Sequence, residues 1–213
     1  TQAADYTADG FEIGVHVDTG CANYDLAGLQ GYYNTQLADF ATRFPTLPPQ
    51  DSERTHCIAW SGWAMQAEVK DNLGIRLDTN YYYWPGAWLN NQPGMFTGSG
   101  FPMRFADLDG SIFDVYQATT QMTDESGQTY PYTIDSLLDK AIGSEGYYGV
   151  FTANMHTSST TSAGADAIIA SAQARGVPIV SGRQMADWLD GRNTSSFENL
   201  AWDGSVLSFD VTI

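Results

Sequence analysis

Three histidines carry the clearest chemical signal in this chain: His16, His56 and His156. Each falls within or beside a segment that reads as a β-strand. Imidazole changes charge nearest to neutral pH and is the commonest metal ligand. Carboxylates stand close by. Asp18 follows His16 by two positions, so on a strand the two share a face. Asp78 ends a third strand-like segment, RLDTN. Imidazoles with carboxylates hold zinc or another divalent ion. The same set supplies a general acid or base with its orienting carboxylate. Asp107 and Asp109, in RFADLDG, read as a solvated turn.

A second feature lies just after Asp78. Tyr81, Tyr82, Tyr83, Trp84 and Trp88 crowd one glycine- and proline-rich stretch. Aromatic faces with polar tips suit sugar rings and their hydroxyls, so Tyr82, Trp84 and Trp88 are expected to bind substrate. The competing expectation is that these rings close one end of the fold or pack on a partner. The Gly98–Gly100 triplet lacks the further glycine and following helix of a phosphate loop. No Gly-x-Ser-x-Gly elbow is present, and neither cysteine neighbours a Cys/His/Asn set. Cys21 and Cys57 form one bridge or stay reduced and buried.

The elements that must position these residues alternate. Phe11–Val17 reads as a strand, and Leu26–Phe44 as a helix with apolar residues at spacings of three and four. Thr55–Trp60 and Ile75–Thr79 read as strands around a helix at Ala64–Leu73. Ser111–Gln117 and Tyr147–Asn154 read as further strands. Between them, Thr133 is expected to cap a helix over Ile134–Ile142. A helix at Ala165–Arg175 ends at Gly176; then come a strand at Val177–Val180, a cap at Ser181 and a helix at Arg183–Leu189. This alternation predicts an α/β fold with a parallel sheet and crossover helices. In such folds, reactive groups gather beyond the carboxyl ends of the strands. Beyond residue 192 the texture changes. Asp203–Gly204 between alternating segments predicts a β-hairpin, either an extension or the start of an appended β domain.

Composition narrows the function. The chain has 213 residues, 25 acids against 9 bases, and a net charge of −16. That balance repels nucleic acid phosphates and anionic membrane surfaces. No apolar run reaches the ~20 residues needed to span a bilayer. No charged-then-apolar leader is present, so a mature or cytosolic form is expected. The acidic surface suits a secreted, extracellular protein.

Several motifs resemble those of polysaccharide deacetylases of the NodB-homology type, carbohydrate esterase family 4. EIGVHVDTG (Glu12–Gly20) resembles the family's second motif, Glu-Ile-Gly-x-His-Ser/Thr-x-x-His. ERTHCIAW (Glu53–Trp60) resembles the third and IRLDTNYYYW (Ile75–Trp84) the fourth. VFTANMHTSS (Val150–Ser159) with GVPIVSGRQMADWL (Gly176–Leu189) resembles the fifth. The resemblance implies a distorted (β/α)7 barrel over residues 1–192, incomplete, with the hairpin at 193–213. It implies a metal-dependent hydrolase that removes acetyl groups from a sugar polymer. His16 matches a metal-binding histidine, and Arg54 the arginine that orients the catalytic carboxylate. Asp78 matches the carboxylate that tunes the acid, and His156 that acid. The family's second metal histidine falls on Gly20, so Asp18 and His56 are expected to complete the set around a divalent metal, zinc. The first motif is not visible before Phe11; the chain is expected to lack a first βα unit or to be cut from a longer protein. The competing expectation is a non-catalytic carbohydrate-binding or cell-surface module that kept the barrel and lost the metal. A structural subunit that self-associates is the third.

Overall fold

The structure, a computed structural model, describes residues 1–22, 24–58, 60–81, 99–125, 127–156 and 162–213. Six helices occur among them: α1 (Gln2–Ala8), α2 (Leu26–Arg43), α3 (Met65–Asn72), α4 (Tyr132–Ile142), α5 (Ala163–Ala174) and α6 (Gly182–Thr194). The strands are β1 (Ser52–Glu53), β2 (Leu77–Asp78), β3 (Met103–Ala106), β4 (Ile112–Gln117), β5 (Thr120–Thr123), β6 (Thr152–Asn154), β7 (Ser196–Trp202) and β8 (Leu207–Thr212).

Local chemistry explains most helix ends. Asp25 caps α2, its carboxylate accepting the Gly28 N–H at 2.7 Å. Ser162 caps α5, and Gly176 follows the end of that helix at φ +65°, a conformation glycine adopts without strain. Ser181 opens α6 in a reciprocal capping box with Gln184. Thr133 is not the expected cap of α4. The helix starts two residues before Ile134, at Tyr132 after Pro131, and the Thr133 hydroxyl donates back to the Thr129 carbonyl at 2.7 Å.

Strands β1, β2 and β4 pair in parallel, in the order β1-β2-β4-β3, with β3 antiparallel at the edge. Register sets Glu53 opposite Asp78, and Asp78 opposite Gln117. Only Ala118 and Thr119 separate β4 from β5, which pairs in parallel with β6 in a second, two-stranded sheet. The chain is therefore mixed α/β, but no sheet closes among the described residues, and the expected seven-stranded barrel is not what they form.

The segments read as strands explain why. Phe11–Val17 joins no ladder. Side chains stand in for the missing partner strand. Gln50 accepts the Val15 N–H at 2.7 Å and donates to the Val15 carbonyl, while Glu53 accepts the Val17 N–H at 3.2 Å. Val177–Val180 likewise joins no ladder. The expected strand at Thr55–Trp60 gives way to a short 3-10 turn at His56–Ile58, pairing having moved upstream to Ser52–Glu53.

Four apolar clusters hold the layers together. Val17, Leu29, Tyr33, Val69 and Ile75 pack α2 and α3 beside the first segment. Leu77, Tyr116, Ala118, Ala186 and Leu189 seat α6 on the sheet. Met122, Ile134, Leu137, Leu138 and Ala172 join α4 and α5 to β5. Ala64, Ala67 and Val115 hold α3 against β4. Between these layers lies a cavity of about 1040 Å³ whose wall includes Met122, Leu138, Ile168 and Val177 and whose polar lining includes His16, Arg54 and Asn154.

The C-terminal segment forms the expected hairpin. Phe197 pairs with Val211 and Trp202 with Leu207, and every residue of both strands is exposed. The Asp203 carboxylate accepts the N–H groups of Ser205 and Val206, which shapes the turn.

Candidate functional site

The three histidines divide between two corners. At the first, His16 and His56 meet edge to face with ring centroids 5.4 Å apart. The His16 Nδ1 bonds the backbone carbonyl of Arg54, which must accept, so Nδ1 carries the proton and Nε2 keeps its lone pair. Arg54 thus orients His16 through its main chain, and both residues line the cavity. The His56 N–H donates to the Val17 carbonyl at 2.8 Å, which ties the two histidine-bearing segments together.

Asp18 is spent differently from the expectation. Its carboxylate accepts the Gly20 N–H at 2.7 Å and shapes the turn that leads to Cys21. Cys21 and Cys57 are joined in a disulfide, with Cα atoms 5.3 Å apart. The ligand atoms of Cys21, His56 and Cys57 lie within 4.8 Å of one another, and all three residues are exposed. This group could hold a metal, although in this state its two sulfurs are bonded to each other.

At the second corner, His156 follows β6. Its Nδ1 lies 2.7 Å from one oxygen of Asp124, and its backbone N–H donates to the other at 2.9 Å. Nε2 lies 3.7 Å from Glu125. Desolvation pushes the Asp124 carboxyl up, but the ring and backbone hydrogen bonds from His156, with the imidazole charge, hold it below its ordinary range. Asp124 and Glu125 escaped the sequence reading. Their signal was available: two acids in TDES directly after a strand, at the carboxyl end where ligands gather.

Asp78 is not beside His156. It is fully buried and paired with the Lys70 ammonium. Lys70 also meets Glu53 at 2.8 Å, and its side chain is wholly buried. Burial alone would lower the Lys70 pKa; the carboxylates of Asp78 and Glu53 outweigh that and raise it. The Glu53 carboxylate also accepts the Tyr33 hydroxyl at 2.6 Å, and Asp78 accepts the Asn80 backbone N–H at 2.8 Å. Asn80 in turn accepts the Thr55 N–H at 2.7 Å. The network pins the segment that carries Arg54 and His56 to the one that carries Asp78.

Tyr82, Trp84 and Trp88 lie outside the described residues; Tyr81, just before them, is exposed. Asp107 and Asp109 form the turn between β3 and β4, as expected, where Asp109 accepts the Ser111 N–H. Among the described residues, no helix is long and apolar enough to cross a membrane. No family model, no curated protein and no solved structure matches this chain.

Proposed function

We propose that the chain is a secreted, metal-dependent hydrolase that removes acetyl groups from a carbohydrate polymer. The observation that carries this reading is the His156–Asp124 pair. One carboxylate engages both the ring and the backbone of a single histidine, which locks the imidazole and fixes its tautomer. The nitrogen left over, Nε2, is the one available to hand a proton to a departing sugar nitrogen or oxygen. Glu125 lies 3.7 Å from that nitrogen. Here Asp124 does what the family resemblance assigned to Asp78.

At the other corner, His16 and His56 would hold the divalent ion, zinc by its preference for imidazole. Held there by His16 and His56, such an ion would supply Lewis-acid chemistry toward an acetyl carbonyl and a water. Arg54 orients His16 through its carbonyl. The parallel pairing of β1, β2 and β4, and of β5 and β6, with α3 between β1 and β2 and α4 between β5 and β6, supports an opened (β/α)7-type architecture. A disulfide agrees with an oxidising, extracellular setting. The charge of −16 favours a neutral or amino sugar polymer over nucleic acid.

A second reading, a non-catalytic carbohydrate-binding or cell-surface module, draws on one observation: the Asp18 carboxylate serves its own turn. Acetate release separates the two. The whole chain, incubated with zinc and an acetylated oligosaccharide, is expected to release acetate. His156→Ala is expected to lower the rate by roughly 10²–10⁴-fold with the fold retained. Equal rates in parent and variant would remove His156 from the mechanism. No acetate from any acetylated glycan tested would favour the binding module.

A further inference from the structure

We infer that Cys21, Cys57 and His56 form a zinc site that exists only when the Cys21–Cys57 disulfide is reduced, so that redox state decides what the His16–His56 corner binds. It shares His56 with the proposed catalytic metal site, but its test does not depend on deacetylation.

The argument starts from donor chemistry. Disulfide sulfurs carry no charge and are poor ligands; thiolates are among the best ligands for zinc. In the oxidised chain the group therefore offers one good donor, the His56 imidazole. Reduction raises that number to three without moving the backbone far, because the ligand atoms already lie within 4.8 Å of one another. The lone-pair nitrogen of His16, whose ring centroid is 5.4 Å from that of His56, is the nearest further donor. Two thiolates and two imidazoles make a tetrahedral zinc set, and with a single imidazole a water completes it.

Access and backbone agree with a switch. Cys21, His56 and Cys57 are all exposed, so a small thiol can reach the bridge. Both cysteines lie in the left-handed region, at φ +56° and +60°. For a residue with a β-carbon that conformation is disfavoured. Such outliers persist where the surroundings hold them, and they gather at functional sites. Here the surroundings are the Asp18 turn on one side and the His56 tie to Val17 on the other.

The chemistry balances as thiol–disulfide exchange followed by metal binding. Two equivalents of a small thiol donate two electrons: the protein S–S bond breaks, two cysteine thiols form, and the reductant leaves as its own disulfide. Zinc then binds the two thiolates and releases their two protons, so its affinity rises with pH.

Cobalt tests this directly. The full chain is reduced with dithiothreitol, desalted without oxygen until two free thiols titrate, and mixed with Co²⁺. The expected result is a thiolate-to-cobalt charge-transfer band with the intense visible bands of tetrahedral cobalt, both abolished by Zn²⁺. The oxidised chain and reduced Cys57→Ser should lose the intense bands. If reduction unfolds the chain, Zn²⁺ should restore its near-ultraviolet circular dichroism. A reduced chain with two free thiols and no cobalt bands overturns the proposal, as does an unfolded reduced chain that zinc does not restore. Acetate release plays no part in either readout, so failure of the deacetylase reading leaves this result intact.

Discussion

Asp78 ends β2 and Asp124 directly follows β5, and each holds a basic partner, yet one pair is sealed and the other open. Asp78 and Lys70 are wholly buried, with Glu53 as a third charge. Asp124 and His156 keep a third or more of their side chains in water. A buried ion pair costs desolvation and cannot exchange protons freely, so it serves as a brace. A part-exposed His–Asp pair contributes little to stability but holds a proton where a substrate can take it. The difference teaches that position at the end of a strand does not decide whether a carboxylate braces the core or stays within reach of solvent: the depth of its partner does.

The comparison can be broken at its buried end first. Lys70→Met leaves Glu53 and Asp78 buried without their cation and is expected to cost about 3–5 kcal/mol in urea unfolding. A loss below about 1 kcal/mol would mean that the network is no brace. Alkaline pH probes the same group more gently. The Lys70 pKa is raised on folding, so its stabilisation is complete below the ordinary lysine value of 10.5 and is lost as pH climbs through the higher folded value. Urea midpoints compared at neutral pH and above 10.5 should fall more for the parent than for Lys70→Met.

At the open end the effects on stability shrink while those on chemistry do not. Asp124→Asn is expected to change stability by less than about 1 kcal/mol. The same change should cut acetate release by roughly 10²-fold or more. Equal activity with a large stability loss would reverse the roles assigned to the two carboxylates. The smallest effect is spectroscopic. Because Asp124 is held below its ordinary value of 3.8, its stabilisation is present above that value and lost as pH falls through the lower folded one. In His156→Gln the Asp124 carboxyl should titrate higher than in the parent, read by its carbon chemical shift.

How far the sequence carried follows from the distance between partners. Ser181 caps α6 through Gln184, and the hairpin turns on Asp203 through Ser205 and Val206. Each bond spans two or three positions, so residue types in a short window were enough to predict it. Phe11–Val17 was misread because its apolar texture is that of a strand while its hydrogen bonds come from the side chains of Gln50 and Glu53, 35 and 36 positions away. Lys70 lies in the helix expected at Ala64–Leu73, and nothing in its neighbourhood announces that both of its carboxylates are buried with it.

The sequence by itself determined the helical segments from α2 onward, though not α1, together with the alternation that makes a mixed α/β fold, the terminal hairpin and the acidic charge, because these rest on short-range hydrogen bonding, hydrophobic periodicity and summed charge. Only the tertiary structure decided which acid each base would meet. His156 found Asp124 across 32 positions, and Cys21 found Cys57 across 36. Asp78 lies only eight positions from Lys70, yet the two meet because α3 packs against the sheet and buries both. Ionic partners are chosen by depth and proximity in the packed chain, and neither is written in the spacing of residues along it.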